Sequence, residues 1–508
     1  MLGKAIRRLE RMAFPQSGNR ETSVRLHQLF IVVFLLLTFA KMASIVGASP
    51  LIAYPNNYDF LRVESCVGLW PDTGSHKLDP HWDGPVNNLI YDRDYHRDLC
   101  LVSIDDLFPY IATKLHAYGA HIDYRWIGSI RALATFATIA LLLAAAEAWW
   151  QRVMLTVSFA LMFGDFAYLA FFNTLYNEFT VIFGTFICAS SLWLMWTIRR
   201  KPTRVLVSVA LSGLIFLGLS KQQYVPLAAA FGLAVGLLMF RRWRSYVGIV
   251  FAVVGVAAPI AFSALNPTNA GLAHNIKLAN NMDTYLGEVL RFAHRPHRAV
   301  KALHLPDECV KGIGGTFYTP GFSENFPCPG IFATSRLRLL PLFIKQPATF
   351  FGPLTNGIRM ARPFLPDRYR YFEDPSSKNS IGYRFTVALS ASTWVNALRD
   401  GPYWALMVCS LIASVPAALW AARRLVSNRF NGTGCDAMFA IGSCLILYSL
   451  ASAVFGDGSS ETAKHGLVWL WGFCIEALAM LTFIAEILRK AKANPRCLSL
   501  LDTDQQGR

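Results

Sequence analysis

At 508 residues, with 54% apolar residues and a mean hydropathy of +0.36, the chain is too hydrophobic for an ordinary soluble protein. The net charge of +16 does not point to nucleic acid, because the Lys and Arg residues gather in short connections between apolar runs. That placement reads as a membrane topology signal.

A helix needs about 20 apolar residues to cross the hydrocarbon core. Windows of that kind fall near 28–48, 126–148, 153–171, 177–197, 204–220, 224–240, 246–265, 402–422, 437–455 and 467–488. The expectation is an all-α polytopic membrane protein with about ten transmembrane helices and two large extracytoplasmic loops. Residues 1–27 form a basic cytoplasmic segment, and no cleavage site precedes the first span, which reads as a retained anchor. Spans 1–7 then cover 28–265, spans 8–10 cover 402–488, and 489–508 is a cytoplasmic tail. The orientation rests on alternate connections that carry Arg7 and Arg8, Arg152, Arg199 to Lys201, Arg241 to Arg244, Arg423 and Arg424, and Arg489 and Lys490. Connections such as 172–176 on the opposite side hold no Lys or Arg.

The first outer loop, 49–125, begins with Asn56-Asn57-Tyr58-Asp59-Phe60-Leu61-Arg62. A carboxylate at the outer end of a span can deprotonate an acceptor hydroxyl or hold a divalent cation such as Mg or Mn. Asn57 and Arg62 are placed to orient it and to touch substrate, although Pro55-Asn56-Asn57 also reads as a turn. Farther on, Asp92-Arg93-Asp94 is a D-x-D triplet that fits a salt-bridged turn better than a metal site. From Ile104 to Tyr118 the residues Leu107, Tyr110, Ile111, Leu115 and Tyr118 recur at helical spacing, as in a helix lying along the interface. Cys66 and Cys100 share this loop, and Cys309 and Cys328 share the second, a pattern suited to two disulfides in an oxidising compartment.

Asp165 lies in the otherwise apolar third window and Glu178 opens the fourth. Ionisable groups at membrane depth are functional candidates, so both join Asp59 as possible catalytic acids and as a possible metal set. Lys221 follows an apolar run at the outer face, where it either snorkels or meets a lipid phosphate.

The second outer loop, 266–401, is basic. Its segment Arg291 to Arg298 offers Arg295 and Arg298 as a forked clamp for phosphate, or as a surface for lipid headgroups. Arg362 to Arg370 repeats that character, and Leu339 to Phe351 reads as an interfacial or re-entrant helix. The last outer turn, Gly456 to His465, adds Lys464 and His465 as substrate contacts. No Walker-type loop, G-x-G-x-x-G, zinc-ligand spacing or G-x-S-x-G is present, and the cytoplasmic connections are too short for a nucleotide-binding domain.

In Asn57-Tyr58-Asp59 after the first span, the Ile104–Tyr118 helix and the Asp165/Glu178 hairpin, the chain resembles the GT-C superfamily of integral-membrane glycosyltransferases. The likeness covers most of the first half. It implies inverting transfer of a sugar from a polyprenyl-phosphate carrier to a glycan or lipid acceptor, on the extracytoplasmic face of a bacterial inner membrane. One carboxylate would be the general base, with a metal or basic side chains at the departing phosphate. Two other classes stay open. An O-antigen ligase or polymerase would place its chemistry on Arg291–Arg298, Arg362–Arg370 and His465, and a transporter or flippase would need a polar path across the membrane.

Overall fold

The apolar windows fold mainly as helix, because a backbone in hydrocarbon must satisfy its own hydrogen bonds. The computed structural model describes residues 20–54, 59–72, 88–93, 99–267, 271–322, 328–362, 371–372, 378–426, 434–458 and 462–493. In chain order the helices of the first half are α1 (Arg20–Val46), α2 (Leu61–Val67), α3 (Leu107–Lys114), α4 (Tyr124–Ala145), α5 (Trp149–Phe163), α6 (Phe166–Leu169), α7 (Glu178–Thr197), α8 (Arg204–Gly218), α9 (Val225–Trp243) and α10 (Val247–Leu265). The second loop holds α11 (Gly271–Met282), α12 (Pro296–Ala302), α13 (Leu339–Lys345), α14 (Ala348–Met360), α15 (Ile381–Ala388) and α16 (Ala391–Ala397). The chain ends through α17 (Asp400–Val426), α18 (Gly434–Asp457), α19 (Thr462–His465) and α20 (Leu467–Ala493).

Eight of these helices are long and apolar enough to cross a membrane, so the protein is a multi-pass membrane protein. At two of the ten expected places, α5 and α8 have only 15 residues each. A helix of that length spans about 22 Å, short of the roughly 30 Å of hydrocarbon. The expected third span, 153–171, does not run through. Its helix stops at Phe163, and Asp165 then caps the short α6. α7 occupies the centre of the bundle, and its whole apolar window is buried. α9 and α10 approach at glycines: a Cβ on Gly232 would lie 2.8 Å from Gly255 Cα, and only small residues allow helices this near.

The two large loops are not all helix. β2 (Leu69–Pro71), β3 (Asn88–Tyr91) and β4 (His121–Asp123) form an antiparallel sheet in the first loop, with Trp70 opposite Ile90 and Leu89 opposite Ile122. β1 (Ile52–Ala53) of the first loop pairs with β5 (Tyr371–Phe372) of the second, Ile52 opposite Phe372, so the loops are hydrogen-bonded to each other. The expected interfacial helix at Ile104–Tyr118 is a 3-10 turn, Ile104–Asp106, followed by α3. Ser103 starts it with a capping box, accepting from Asp105 N while its own N–H donates to Asp106 Oδ2. Leu107, Tyr110, Leu115 and Tyr118 stay exposed, and Phe108 and Ala112 are buried. The Leu339 to Phe351 stretch breaks in two at Gln346-Pro347, since a residue before proline is pushed out of the α region.

Both expected disulfides are formed, Cys66–Cys100 with its Cα atoms 4.8 Å apart and Cys309–Cys328 at 4.7 Å. The second closes a separate apolar core within the second loop, built on Tyr285, Leu286, Leu290, Val300, Leu305 and Leu342.

Candidate active site

Four segments distant in sequence bring charged side chains together at the helix ends on the loop-bearing side. The first is the entry to α2. Phe60, Leu61 and Val63 are buried, and Cys66 is tied to Cys100, so this short helix is fixed and Asp59 stands at its start. Arg62, one turn on, pairs with Asp59. The second segment is the first turn of α7, where Glu178 lies at the positive end of the helix dipole. The third is Lys221, just before the 3-10 turn Gln222–Tyr224. The fourth runs from the end of α18 through α19, carrying Asp457, Lys464 and His465.

Their contacts make a continuous chain of alternating charge. Lys464 Nζ pairs with Asp59 Oδ2 and lies 4.0 Å from Glu178 Oε1. Lys221 Nζ donates to Glu178 Oε1 at 3.0 Å and lies 3.5 Å from His465 Nε2. His465 stands between two carboxylates, with Nδ1 3.6 Å from Glu178 Oε1 and Nε2 2.8 Å from Asp457 Oδ2. Gln223 Nε2 donates to Asp457, and Arg336, from the second loop, donates to the Gly456 carbonyl beside it. Tyr176 and Tyr224 support the cluster from below. Lys464 Nζ sits 5.0 Å from the Tyr176 ring centroid, and the Tyr224 hydroxyl donates to His465 O at 3.0 Å.

Among the described residues, Asp59, Glu178 and Asp457 meet Arg62, Lys221, Lys464 and Arg336 here, with His465 between two of the carboxylates. Burial pulls the Arg336 guanidinium below its ordinary pKa, and the Asp457 charge opposes that.

A second, fully buried ion pair holds the turn that leads into Glu178. Arg131 of α4 donates to Asp105 Oδ2 at 2.9 Å, and neither side chain has any exposure. Its other amino group donates to the carbonyls of Phe171, Phe172 and Thr174 at 2.9, 3.0 and 2.6 Å. Burial pushes the Asp105 carboxyl up to about 7 against the pull of Arg131, and Glu178 nearby pushes the same way. Asn173 Nδ2 ties the same turn to Ile45 O, Val46 O and Ile52 O. Glu178 is therefore placed from three directions by backbone carbonyls and a salt bridge.

Of the residues singled out in the sequence, Asp59, Arg62, Glu178, Lys221, Lys464 and His465 come together. Asp165 does not. Its carboxylate accepts from Ala167 N at 2.9 Å, Ser392 N at 2.8 Å and Ser392 Oγ at 2.5 Å, so it caps α6 and clamps α16. Lys41 reinforces this joint by donating to Gly164 O and Leu389 O. Arg295 and Arg298 are exposed at the start of α12, and among the described residues of the second loop it is Arg336, also exposed as a residue, whose guanidinium reaches the cluster. Asn57 lies outside the described residues, as does Asp94 of the D-x-D triplet, while Asp92 accepts from the Tyr118 hydroxyl.

The expected metal set of Asp59, Asp165 and Glu178 does not fit this arrangement. Asp165 is elsewhere, and the Lys464 ammonium stands between the other two carboxylates, where a shared cation would have to lie. Among the described residues no group of three His, Cys, Asp or Glu side chains is arranged to hold a metal ion.

Asp457, Gln223, Arg336, Asp105 and Arg131 belong to the site or its support and were not singled out in the sequence. Arg131 alone carried a signal, a charge inside an apolar window.

The family model described as the YfdI N-terminal transmembrane domain matches residues 19–506 of the chain. No curated protein and no solved structure matches it.

Proposed function

The chain belongs to the family of the YfdI N-terminal transmembrane domain, and from that premise we propose that it is a membrane glycosyltransferase of GT-C type. The donor is a sugar on a polyprenyl-phosphate carrier, and the acceptor is an envelope glycan or lipid. The observation that carries this reading is the gathering of Lys464, Lys221, Arg62 and Arg336 around Asp59, Glu178 and Asp457 at the helix ends on the loop-bearing side. Ammonium and guanidinium groups of this kind bind a lipid phosphate, which reaches the membrane border by lateral diffusion. Two disulfides in the loops favour an oxidising compartment, hence the extracytoplasmic face of a bacterial inner membrane.

The residues divide the work by exposure. Asp59 is the most open of the three carboxylates, its side chain 16% exposed against 5% for Glu178 and 8% for Asp457. It takes the proton of the acceptor hydroxyl as the new oxygen–carbon bond forms at the sugar's anomeric centre with inversion. The bond from that carbon to the phosphate oxygen breaks, and its electron pair stays on the phosphate. Lys464, Lys221, Arg62 and Arg336 stabilise the charge that develops there. Glu178 holds Lys464 and Lys221 in place, and Asp457 orients His465. No metal enters this scheme, since the ammonium groups already stand at the carboxylates.

The test is reconstitution of the purified chain in nanodiscs with polyprenyl-phosphate sugars and an envelope-lipid extract, following transfer of labelled sugar. Transfer that depends on the Lys464 and Lys221 ammonium groups supports the reading. Transfer lost instead on Arg295→Ala and Arg298→Ala, with Lys464→Gln active, moves the chemistry to the basic loop as in a ligase.

A further inference from the structure

Far from the charged cluster, one carboxyl lies in the middle of the bundle with no cation beside it among the described residues. Glu476 is in α20, about 14 Å along the helix from its loop-bearing end at 1.5 Å per residue. It is buried where α17, α18 and α20 meet. Ser443 Oγ of α18 and Ser414 Oγ of α17 each lie 2.8 Å from Glu476 Oε1. Gly442 on α18 makes room for it, because a Cβ there would come within 2.7 Å of Glu476 Cγ.

Among the described residues, none beside it carries a positive charge to balance an ionised carboxylate. The stretches 401–422, 437–456 and 467–485 contain no other Asp, Glu, Lys, Arg or His. The helices that pack against α18 and α20 from the other side, α5 and α7, carry their only charges, Arg152 and Glu178, near their ends. The other titratable side chains of these three stretches are the thiols of Cys409, Cys444 and Cys474 and the hydroxyls of Tyr403 and Tyr448, and Cys474 faces Asp165. An isolated carboxylate in hydrocarbon is expensive, and a carboxyl there holds its proton instead.

Counting hydrogens leads to the same result. Ser414 Oγ has one hydrogen and two acceptors in reach, Ser410 O at 2.7 Å and Glu476 Oε1 at 2.8 Å. With an ionised carboxylate, one of the two goes without a full bond. With a proton on Oε1 every hydrogen finds a place: Ser443 donates to Oε1, Oε1–H donates to Ser414 Oγ, and Ser414 donates to Ser410 O. The chain crosses all three helices in one direction.

We propose that Glu476 is a membrane-embedded proton-binding site, occupied at neutral pH, whose bound proton fastens α17 to α18 and α20. α17 is the helix that returns the chain from the second outer loop to the membrane, and its apolar window is only 22% buried. The Glu476 chain is thus the one polar link described between α17 and α20, so occupancy by the proton steadies the helix that carries the loop.

The experiment uses the full chain in nanodiscs, treated at pH 7 with N,N′-dicyclohexylcarbodiimide, which reacts with protonated carboxyls in hydrocarbon, and read by peptide mass mapping. The expected result is an adduct on Glu476, about one per chain, absent from Glu476→Gln and unchanged when NaCl replaces choline chloride. Protection by Na+ would overturn the proposal in favour of a sodium site. Where no adduct forms, infrared difference spectra decide. A protonated-carboxyl C=O band lost in Glu476→Gln upholds the proposal, and its absence from the wild type overturns it. Glu476→Gln keeps a donor and an acceptor, so it serves as the folded comparison in both measurements.

Discussion

Lys464 Nζ lies between Asp59 and Glu178, paired with the first and 4.0 Å from the second, although more than 280 residues separate it from either in sequence. This bridge joins the first outer loop, the central helix and the last outer turn. It also gives each carboxylate a counter-charge without a metal. Lys464→Gln therefore leaves two acids short of a partner and, in the proposed function, removes the phosphate contact. The expected outcome is at least a hundredfold loss of sugar transfer, the scale for losing one preorganised electrostatic contact (about 3 kcal/mol). Chelator-treated and Mg-supplemented wild type should transfer at equal rates, and a restored rate on adding Mg would count against the ammonium assignment.

The second loop presents many cations, and the structure separates them. Arg336 reaches the Asp457 end of the cluster, while Arg295 and Arg298 face outward. Arg336→Ala should raise the donor KM by roughly tenfold to a hundredfold, as expected for a charge-assisted contact. Arg295→Ala and Arg298→Ala should leave it unchanged. Equal effects from all three would mean that the loop acts as a diffuse basic surface.

Asp165 offers the opposite contrast. Its three hydrogen bonds cap α6 and hold α16, so Asp165→Ala should lower stability by about 2–4 kcal/mol, as for a lost cap and buried bonds. Thermal unfolding in detergent reads the loss. Activity per folded molecule should stay near that of the wild type, and a fall on the scale of the Lys464 variant at unchanged stability would restore Asp165 to the chemistry.

Much of this is legible in the sequence. Asp59, Glu178, Lys221, Lys464 and His465 all sit where a span meets an outer connection, so hydropathy places them at one face, and a bundle of this size brings them close. Asp165 misled because it falls in an apolar window, yet the helix has already ended at Phe163, and an Asp at a helix break is a cap first. Arg336 was hidden among equivalent cations, since which one turns inward depends on the fold of the loop. Asp457 and Glu476 each stand in or beside an apolar run. Their partners, Gln223 and His465 in one case and Ser414 and Ser443 in the other, are set only by helix packing.

Arg131 and Asp105 form a pair with no exposure, and removing one member strands the other. Arg131→Met should cost about 3–5 kcal/mol. The double change with Asp105→Leu should recover part of it, because the stranded charge is gone. Chemical denaturation of the three variants in mixed micelles tests this, and simple additivity of the two single losses would contradict it.

Asp105 also predicts a pH dependence. Burial raises its carboxyl to about 7, with Arg131 opposing and Glu178 adding to the rise, while an unfolded Asp titrates near 4. Between those values the folded chain keeps a proton that the unfolded chain releases. Stability from this group is therefore greatest below about pH 4 and declines as pH climbs to about 7, by on the order of 4 kcal/mol at most. Asp106, pushed up by burial, slopes the same way. Asp105→Asn should flatten the profile in part, and identical slopes for variant and wild type would exclude Asp105 as the source.

The most direct measurement is the rate of sugar transfer by Asp59→Asn in nanodiscs, at equal amounts of folded protein. Asn keeps the shape of Asp59 but cannot accept the acceptor's proton. The predicted result is a loss of about 10²–10⁴-fold in kcat, with donor binding retained. Transfer at the wild-type rate would remove Asp59 as the base and with it the central assignment of this site.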